Sequence, residues 1–191
     1  ETNGSGSVSG SHIYTSAGVY TVGLTLTDKD GGSDTATFEY VVVYDPSAGF
    51  VTGGGWINSP AGAYAADPTA EGKATFGFVS KYQKGAKIPT GNTQFQFKAG
   101  DLNFNSNEYE WLVIAGSKAQ YKGSGTINGV GNYGFMLTAF DGGKTTAPDK
   151  FRIKIWDKVT GEVVYDNQLG ASDTADATTA LAGGSIVIHS K

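Results

Sequence analysis

The chain has 191 residues, 29 of them glycine, and a formal net charge of -4 at pH 7. Its 14 Lys and Arg residues are scattered, which excludes the clustered basic surface that nucleic-acid binding requires. Cysteine is absent, so disulfides, thiolate metal sites and cysteine nucleophiles are excluded. No apolar run approaches the length of about 18 residues that a membrane helix needs, so we expect no membrane insertion. Short apolar runs between clusters of Gly, Asn, Asp, Ser and Thr predict an all-β fold.

The first predicted element is a β-hairpin. Apolar side chains alternate with Thr and Gly over residues 20–26, the period of two that is typical of a half-buried strand. Residues 28–32, with the sequence DKDGG, supply the turn, and residues 35–44 form the return strand. The segment before the hairpin lacks the basic and then apolar pattern of a signal peptide. We therefore expect Glu1 to be an internal position of a longer chain.

The hairpin carries a motif, H-x-Y-x-x-x-G-x-Y-T-V-x-L-T-x-T-D-x-D-G, from His12 to Gly31. It resembles the C-terminal part of a PKD domain, the immunoglobulin-like β-sandwich that is repeated in many bacterial secreted proteins. The W-x-F-G-D-G-like motif that the family places upstream has no counterpart here. Residues 1–45 are thus expected to be a partial PKD-like domain, an incomplete immunoglobulin-like β-hairpin fragment. Such a fragment buries too little to be stable by itself, so it would pack on the rest of the chain, self-associate through its exposed strand edges, or not stay folded at all.

Residues 46–191 are predicted to form an antiparallel β-sandwich, of jelly-roll or immunoglobulin-like type. Alternating runs recur at intervals of roughly ten to fifteen residues, as in sandwiches and barrels. The predicted strands are 50–57, 74–82, 93–99, 102–104, 109–115, 119–127, 133–140, 151–156, 163–165 and 185–189.

Two of these runs separate clearly into an apolar and a polar face. The side chains predicted to face inward are Phe95, Phe97, Phe151, Ile153 and Ile155. The side chains predicted to face solvent are Gln94, Gln96, Lys98, Arg152, Lys154 and Trp156.

Three segments of this unit carry a second resemblance: VTGGGWI at 51–57, and the stretches 108–142 and 149–167. They are similar to a domain found near the C-terminus of large bacterial extracellular proteins, often after PKD-like repeats. The resemblance implies an extracellular or cell-surface bacterial protein, and it implies no defined activity.

Catalytic signals are weak. The two histidines, His12 and His189, offer poor material for a Ser-His-Asp triad. Glu108 and Glu110 are two residues apart on a predicted strand, so they share one face. Tyr109 and Trp111 are expected to share the other face. This pattern fits a solvated face better than the acid pair of a glycosidase. We expect no enzymatic activity, and a glycan-active hydrolase is the third hypothesis.

Six aspartates are candidate ligands for calcium, the one cofactor that the sequence suggests: Asp28, Asp30, Asp34, Asp141, Asp149 and Asp157. The first three have the spacing of a calcium loop but lack its further oxygen donors, which also fits a plain turn. The other three flank two predicted strands. If those strands are neighbours, Asp141 and Asp149 lie at one end of the sandwich.

The candidate ligand-binding residues are Trp156, Arg152 and Lys154, because exposed aromatic rings stack on sugar rings. We therefore expect a non-catalytic accessory or adhesion module whose leading partner is a polysaccharide or another cell-surface component. The alternative is a structural spacer or sorting domain, stabilised by calcium, that binds no ligand. An exposed aromatic strip would favour the first hypothesis, and burial of all three tryptophans would favour the second.

Overall fold

The computed structural model describes residues 6–143 and 147–190, and its fold is all-β and antiparallel, as predicted. The strands in the described ranges are β1 (Gly18–Thr27), β2 (Ser33–Val43), β3 (Gly49–Ser59), β4 (Gly72–Lys81), β5 (Thr90–Phe97), β6 (Leu102–Ala115), β7 (Lys118–Ile127), β8 (Val130–Phe140), β9 (Lys150–Asp157), β10 (Val163–Asp166) and β11 (Gly183–Ser190). Within these ranges the helical structure is limited to a 3₁₀ turn at Lys98–Gly100, and no helix could span a membrane.

Strands β1 and β2 form the predicted hairpin as a separate two-stranded sheet. One carboxylate oxygen of Asp28 closes the turn, because it accepts the backbone N–H groups of Asp30 at 2.9 Å and Gly32 at 2.8 Å. A β-bulge interrupts the pairing after Tyr20, and Tyr40 adopts a left-handed φ of 65° there. Such a bulge redirects side chains, and it turns Tyr40 toward the larger sheet.

The other nine strands form one continuous sheet in the order β10-β9-β8-β7-β6-β5-β4-β3-β11, which is not closed into a barrel. The sheet folds over on itself, so that distant strands face each other across the core. Phe151 on β9 stacks on Phe76 of β4 with ring centroids 4.1 Å apart, and Tyr165 on β10 lies 4.7 Å from Phe95 of β5. The two layers of the sandwich are thus two halves of a single sheet.

The predicted apolar faces form the centre of this core. The five side chains expected to face inward are at most 1% exposed: Phe95, Phe97, Phe151, Ile153 and Ile155. Alternation of apolar and polar residues therefore identified the inner face of β5 and β9 correctly.

Strand β6 differs from the prediction in two ways. The two short runs predicted at 102–104 and 109–115 are one strand, which carries irregularities after Ser106 and Tyr109. The second irregularity breaks the period of two, so Tyr109 faces the main core while Trp111 faces the opposite side. The prediction that these two aromatic residues share a face was therefore wrong.

The last strand, β11, is held on both of its edges. One edge pairs with β3, and on the other edge two carboxylates accept hydrogen bonds from backbone N–H groups. Asp141 accepts the N–H of Ile188 at 2.8 Å, and Asp149 accepts the N–H of Ile186 at 2.7 Å. We call this pair of aspartates the β11 clasp. It links the end of β8 and the start of β9 to the far edge of the folded sheet.

The base of the hairpin packs on the outer face of the large sheet. Val19 and Val42 contact a small cluster that contains Trp111 and Met136. Among the described residues, the buried cluster at the base does not extend to the far half of the hairpin, where Phe38 is 66% exposed. The structure thus shows the first of the three expected outcomes, packing of the hairpin on the larger unit. Self-association through the hairpin stays a prediction.

Candidate functional site

Arg152 is not part of an exposed surface, so its predicted exposure was wrong. The side chain is 2% exposed, and its guanidinium forms a two-pronged ion pair with Asp166, with N to O distances of 3.0 and 2.8 Å. It also donates to the backbone carbonyls of Ser172 and Ala171, in the loop between β10 and β11. The outer face of β9 is covered by this loop, which the alternation of residues along β9 cannot reveal.

Trp156 and Lys154 lie beside this covered region. The ammonium of Lys154 is 2.6 Å from a carboxylate oxygen of Asp173, and Trp156 is half-buried at the edge of the cluster under the hairpin. The Trp156 ring also lies over Gly134, where an added Cβ would come within 2.3 Å of it. Trp111 is buried and the other two tryptophans are half-buried, so the exposure of the tryptophans favours neither the ligand-binding nor the spacer hypothesis.

Asp173, in the loop between β10 and β11, makes a polar contact with both the hairpin and the large sheet, through Tyr40 and Lys154. Burial opposes its ionisation, but hydrogen bonds from Lys154 and Tyr40 and the nearby positive charges outweigh that effect and hold its pKa below the ordinary value. Burial, followed by the hydrogen bond to Asp173, raises the pKa of Tyr40. The contact therefore joins a neutral phenol to an ionised carboxylate at neutral pH.

Replacing Tyr40 with phenylalanine is expected to lower the free energy of unfolding by about 1.5–3 kcal/mol at pH 7, the usual scale for a hydrogen bond to a charged group. The folded-state pKa of Asp173 is depressed, so its contribution is present above the unfolded value of about 3.9 and is lost as the pH falls through the folded value. The difference between variant and wild type should shrink in melts at pH 3 and below. Tyr20→Phe is the control, because that hydroxyl donates to the backbone carbonyl of Ser16. An effect of Tyr40→Phe that is equal at all pH values would contradict this assignment.

The structure brings two of the candidate calcium ligands together, as expected. Asp141 and Asp149 lie at the same end of the folded sheet, where they form the β11 clasp. Their second oxygens accept the N–H groups of Gly143 and Gly142, both at 2.8 Å. Asp157 lies at the other end of β9 and accepts the N–H groups of its own turn.

The hairpin aspartates are also engaged locally. Asp28 closes the β1-β2 turn, Asp30 lies 3.5 Å from the Lys29 ammonium, and Asp34 accepts the N–H of Thr35. The described parts of the chain contain no group of three or more His, Asp or Glu side chains that could hold a metal ion. Calcium binding stays a prediction, and a rise in Tm when calcium replaces EDTA would support it.

A polar groove crosses the outer face of strands β4, β5 and β6. We call it the amide groove, and its side chains are those of Thr75, Gln94, Gln96, Asn103 and Asn105, with Gly77 in its floor. Its volume is about 350 Å³. The residues that alternate with them, among them Phe76, Phe95 and Phe104, point into the core. The strands that carry the groove are therefore backed by buried aromatic side chains of the core.

Strand register places these polar residues in two rows. In one row Thr75 pairs with Gln96, which pairs with Asn103. In the other row Gly77 pairs with Gln94, which pairs with Asn105. Because directly opposed residues in an antiparallel sheet point to the same side, both rows face the groove.

The amides differ in how far they are already engaged. Gln96 donates to Asn103 at 2.7 Å, so these two side chains hold each other in position. Gln94 and Asn105 are exposed, and within the described residues no hydrogen bond occupies their side-chain amides. Each free amide offers two donors and one acceptor oxygen to a bound molecule.

Glycine leaves the floor of the groove open. Gly77 faces Gly54 of β3, and a Cβ added to Gly77 would meet nothing within 4 Å. The other row, which contains Thr75, also continues onto β3, where Trp56 pairs with Thr75. The Lys73 ammonium lies 4.7 Å from the centre of the Trp56 ring. An aromatic ring thus stands at the end of a row of amides.

The chemistry of the groove is that of a binding surface. None of its lining side chains titrates near neutral pH, so the groove supplies neither a general acid nor a general base. Amides and a hydroxyl match a ligand rich in hydroxyl groups, and Trp56 offers an apolar ring at one end.

Sequence reasoning missed this site, although part of the signal was present. The alternation of residues predicts that Gln94 and Gln96 face solvent, and Asn103 and Asn105 show the same alternation on the next strand. What the sequence lacks is the register that aligns them, because a shift of one residue would turn either pair of amides to the core.

No family model, curated protein or solved structure matches this chain. The amide groove is therefore argued from its geometry and chemistry. The resemblance of residues 12–31 to PKD domains, and of the large unit to a C-terminal domain of bacterial extracellular proteins, stays a prediction.

Proposed function

We propose that this chain is a non-catalytic polysaccharide-binding module of an extracellular or cell-surface bacterial protein, and that the amide groove is its binding surface. The observation that carries the proposal is the alignment of four amides, from Gln94, Gln96, Asn103 and Asn105, along a groove with an open glycine floor. This is the role that the sequence suggested, but the proposed site lies on β4, β5 and β6 rather than at Trp156 on β9.

A sugar chain satisfies this surface better than a compact apolar ligand does. Each sugar hydroxyl both donates and accepts hydrogen bonds, as does each amide, so a set of aligned amides can bind successive hydroxyl groups. The row from Trp56 on β3 to Asn103 on β6 crosses three strand spacings, about 14 Å in all. That length suits a stretch of a chain rather than a single sugar.

Replacing Gly77 with valine is expected to weaken polysaccharide binding at least tenfold, on the order of the loss of one or two good contacts. The added Cβ meets no atom within 4 Å, and valine is favoured in strands, so the fold should be retained while the groove is filled. The measurement is a glycan array followed by isothermal titration with the best ligand, with the Tm recorded in parallel.

Gly23→Val is the matched control. Gly23 is also a strand glycine with no atom within 4 Å of an added Cβ, but it lies on β1. It should leave binding unchanged. If wild type binds no polysaccharide on the array, the spacer hypothesis is favoured. If Gly77→Val binds as tightly as wild type, the ligand lies elsewhere on the protein.

A further inference from the structure

A second cavity adjoins the amide groove along the direction of β4 and β5, on the side of Thr75 and Gln96 that is away from Gly77 and Gln94. It has a volume of about 340 Å³ and is lined by Lys73, Thr75, Gln96, Lys98 and Ala99. Thr75 and Gln96 also line the amide groove, so the two depressions share a wall. A chain that crosses the groove in the direction of β4 and β5, past Thr75 and Gln96, would therefore meet the side chains of Lys73 and Lys98.

These two lysines are not neutralised by acidic neighbours. Within the described residues, neither Lys73 nor Lys98 has a carboxylate within ion-pair distance, whereas three lysines on β7 and β9 do. The Lys73 ammonium instead lies over the Trp56 ring, a contact worth about 0.5–1 kcal/mol at an exposed site. A carboxylate or sulfate group of a ligand would be a stronger partner for it.

The charge of the whole chain makes this local arrangement informative. The net charge of -4 disfavours general attraction of anions, so the two lysines form a positive position on an acidic protein. The side chains that line both cavities include no carboxylate that would repel an anion. The second cavity, with Lys73 and Lys98 in its lining, is thus suited to an anionic group of a ligand.

We infer that the ligand of the amide groove is an acidic polysaccharide, whose carboxylate or sulfate groups pair with Lys73 and Lys98 while its hydroxyl groups bind the amides. The inference rests on the proposed function, since it assigns the class of polysaccharide that the same groove binds. Lys73 and Lys98 add charge selection to a surface whose amides alone select hydroxyl groups.

The test compares two matched pairs of ligands by isothermal titration on the whole chain. Polygalacturonate is compared with its carboxyl-reduced form, and dextran sulfate is compared with dextran. Wild type should bind one acidic member about tenfold more tightly than its neutral partner, the scale of two exposed charge pairs. Which acidic polymer binds distinguishes a carboxylate ligand from a sulfate ligand. The preference should decline with added salt.

The double variant Lys73→Gln/Lys98→Gln should bring the ratio of acidic to neutral polymer affinity down to about one, removing the roughly tenfold preference. The control, Lys84→Gln/Lys158→Gln, changes the net charge by the same amount at exposed positions outside both cavities. Equal binding of acidic and neutral polymers by wild type would overturn the inference and leave the proposed function intact. Binding that responds equally to both double variants would also overturn it. Failure of all four polymers and of the glycan array would overturn the proposed function itself.

Discussion

Replacing Arg152 with methionine is expected to lower the free energy of unfolding by about 3–5 kcal/mol, the cost of removing one partner of a buried ion pair. Arg152 and Asp166 are both only 2% exposed, so the carboxylate would be left buried without its cation. The loop carbonyls of Ala171 and Ser172 would lose their donor as well. Urea denaturation at pH 7 measures the change.

The double variant Arg152→Met/Asp166→Leu separates the two causes. If the loss comes from an uncompensated buried charge, removing Asp166 as well should restore a large part of the stability. If the loss comes from the loop carbonyls, the double variant should be as unstable as the single one. A free energy of unfolding that is unchanged in Arg152→Met would contradict the structural role assigned to this residue.

Removing the β11 clasp is expected to have a comparable effect. Asp141→Ala and Asp149→Ala should each lower the free energy of unfolding by about 2–3 kcal/mol, because each carboxylate accepts two backbone N–H groups that would lose their partner. The double variant should lose about 4–5 kcal/mol on the same scale. Urea denaturation in EDTA measures the loss. Hydrogen exchange should also be faster than in wild type at the Ile186 amide in Asp149→Ala and at the Ile188 amide in Asp141→Ala.

Asp157→Ala is the control for the clasp, since its carboxylate accepts only the N–H groups of its own turn. Its cost should be about 1 kcal/mol or less. Performing each titration again with calcium tests the earlier hypothesis for the same residues. If calcium raises the stability of wild type, and the clasp variants differ from wild type only when calcium is present, then these aspartates act as ion ligands and the clasp interpretation is wrong.

The sequence predicted the strands well because alternation is a local property. Phe151, Ile153 and Ile155 show which face of β9 is inward, and no other part of the chain is needed to see it. The prediction that Arg152, on the same strand, is exposed to solvent was wrong. Alternation separates two faces of a strand, but whether the outer face is covered depends on the loop that follows β10, which is distant in the sequence.

Identifying the amide groove likewise requires information about strand pairing, which alternation does not provide. The sequence shows amides on the outer face of β5, but only the pairing of β4, β5 and β6 brings them into rows with Thr75 and Gly77. Trp56 belongs to the segment VTGGGWI, and nothing in that segment indicates which residue of the next strand it lies beside. Its place at the end of the row follows from the pairing of β3 with β4.

The attachment of β11 has a consequence for how the chain folds. Its backbone partners lie on β3, near the beginning of the large sheet, and its carboxylate partners lie between β8 and β9. These contacts join residues that are far apart in sequence, and the entropy of closing such long loops is lost before the contacts form. Proteins dominated by distant pairings fold slowly, typically in milliseconds to seconds. We expect the large sheet to stay incomplete until its last strand docks, so that refolding is a slow, late-closing process.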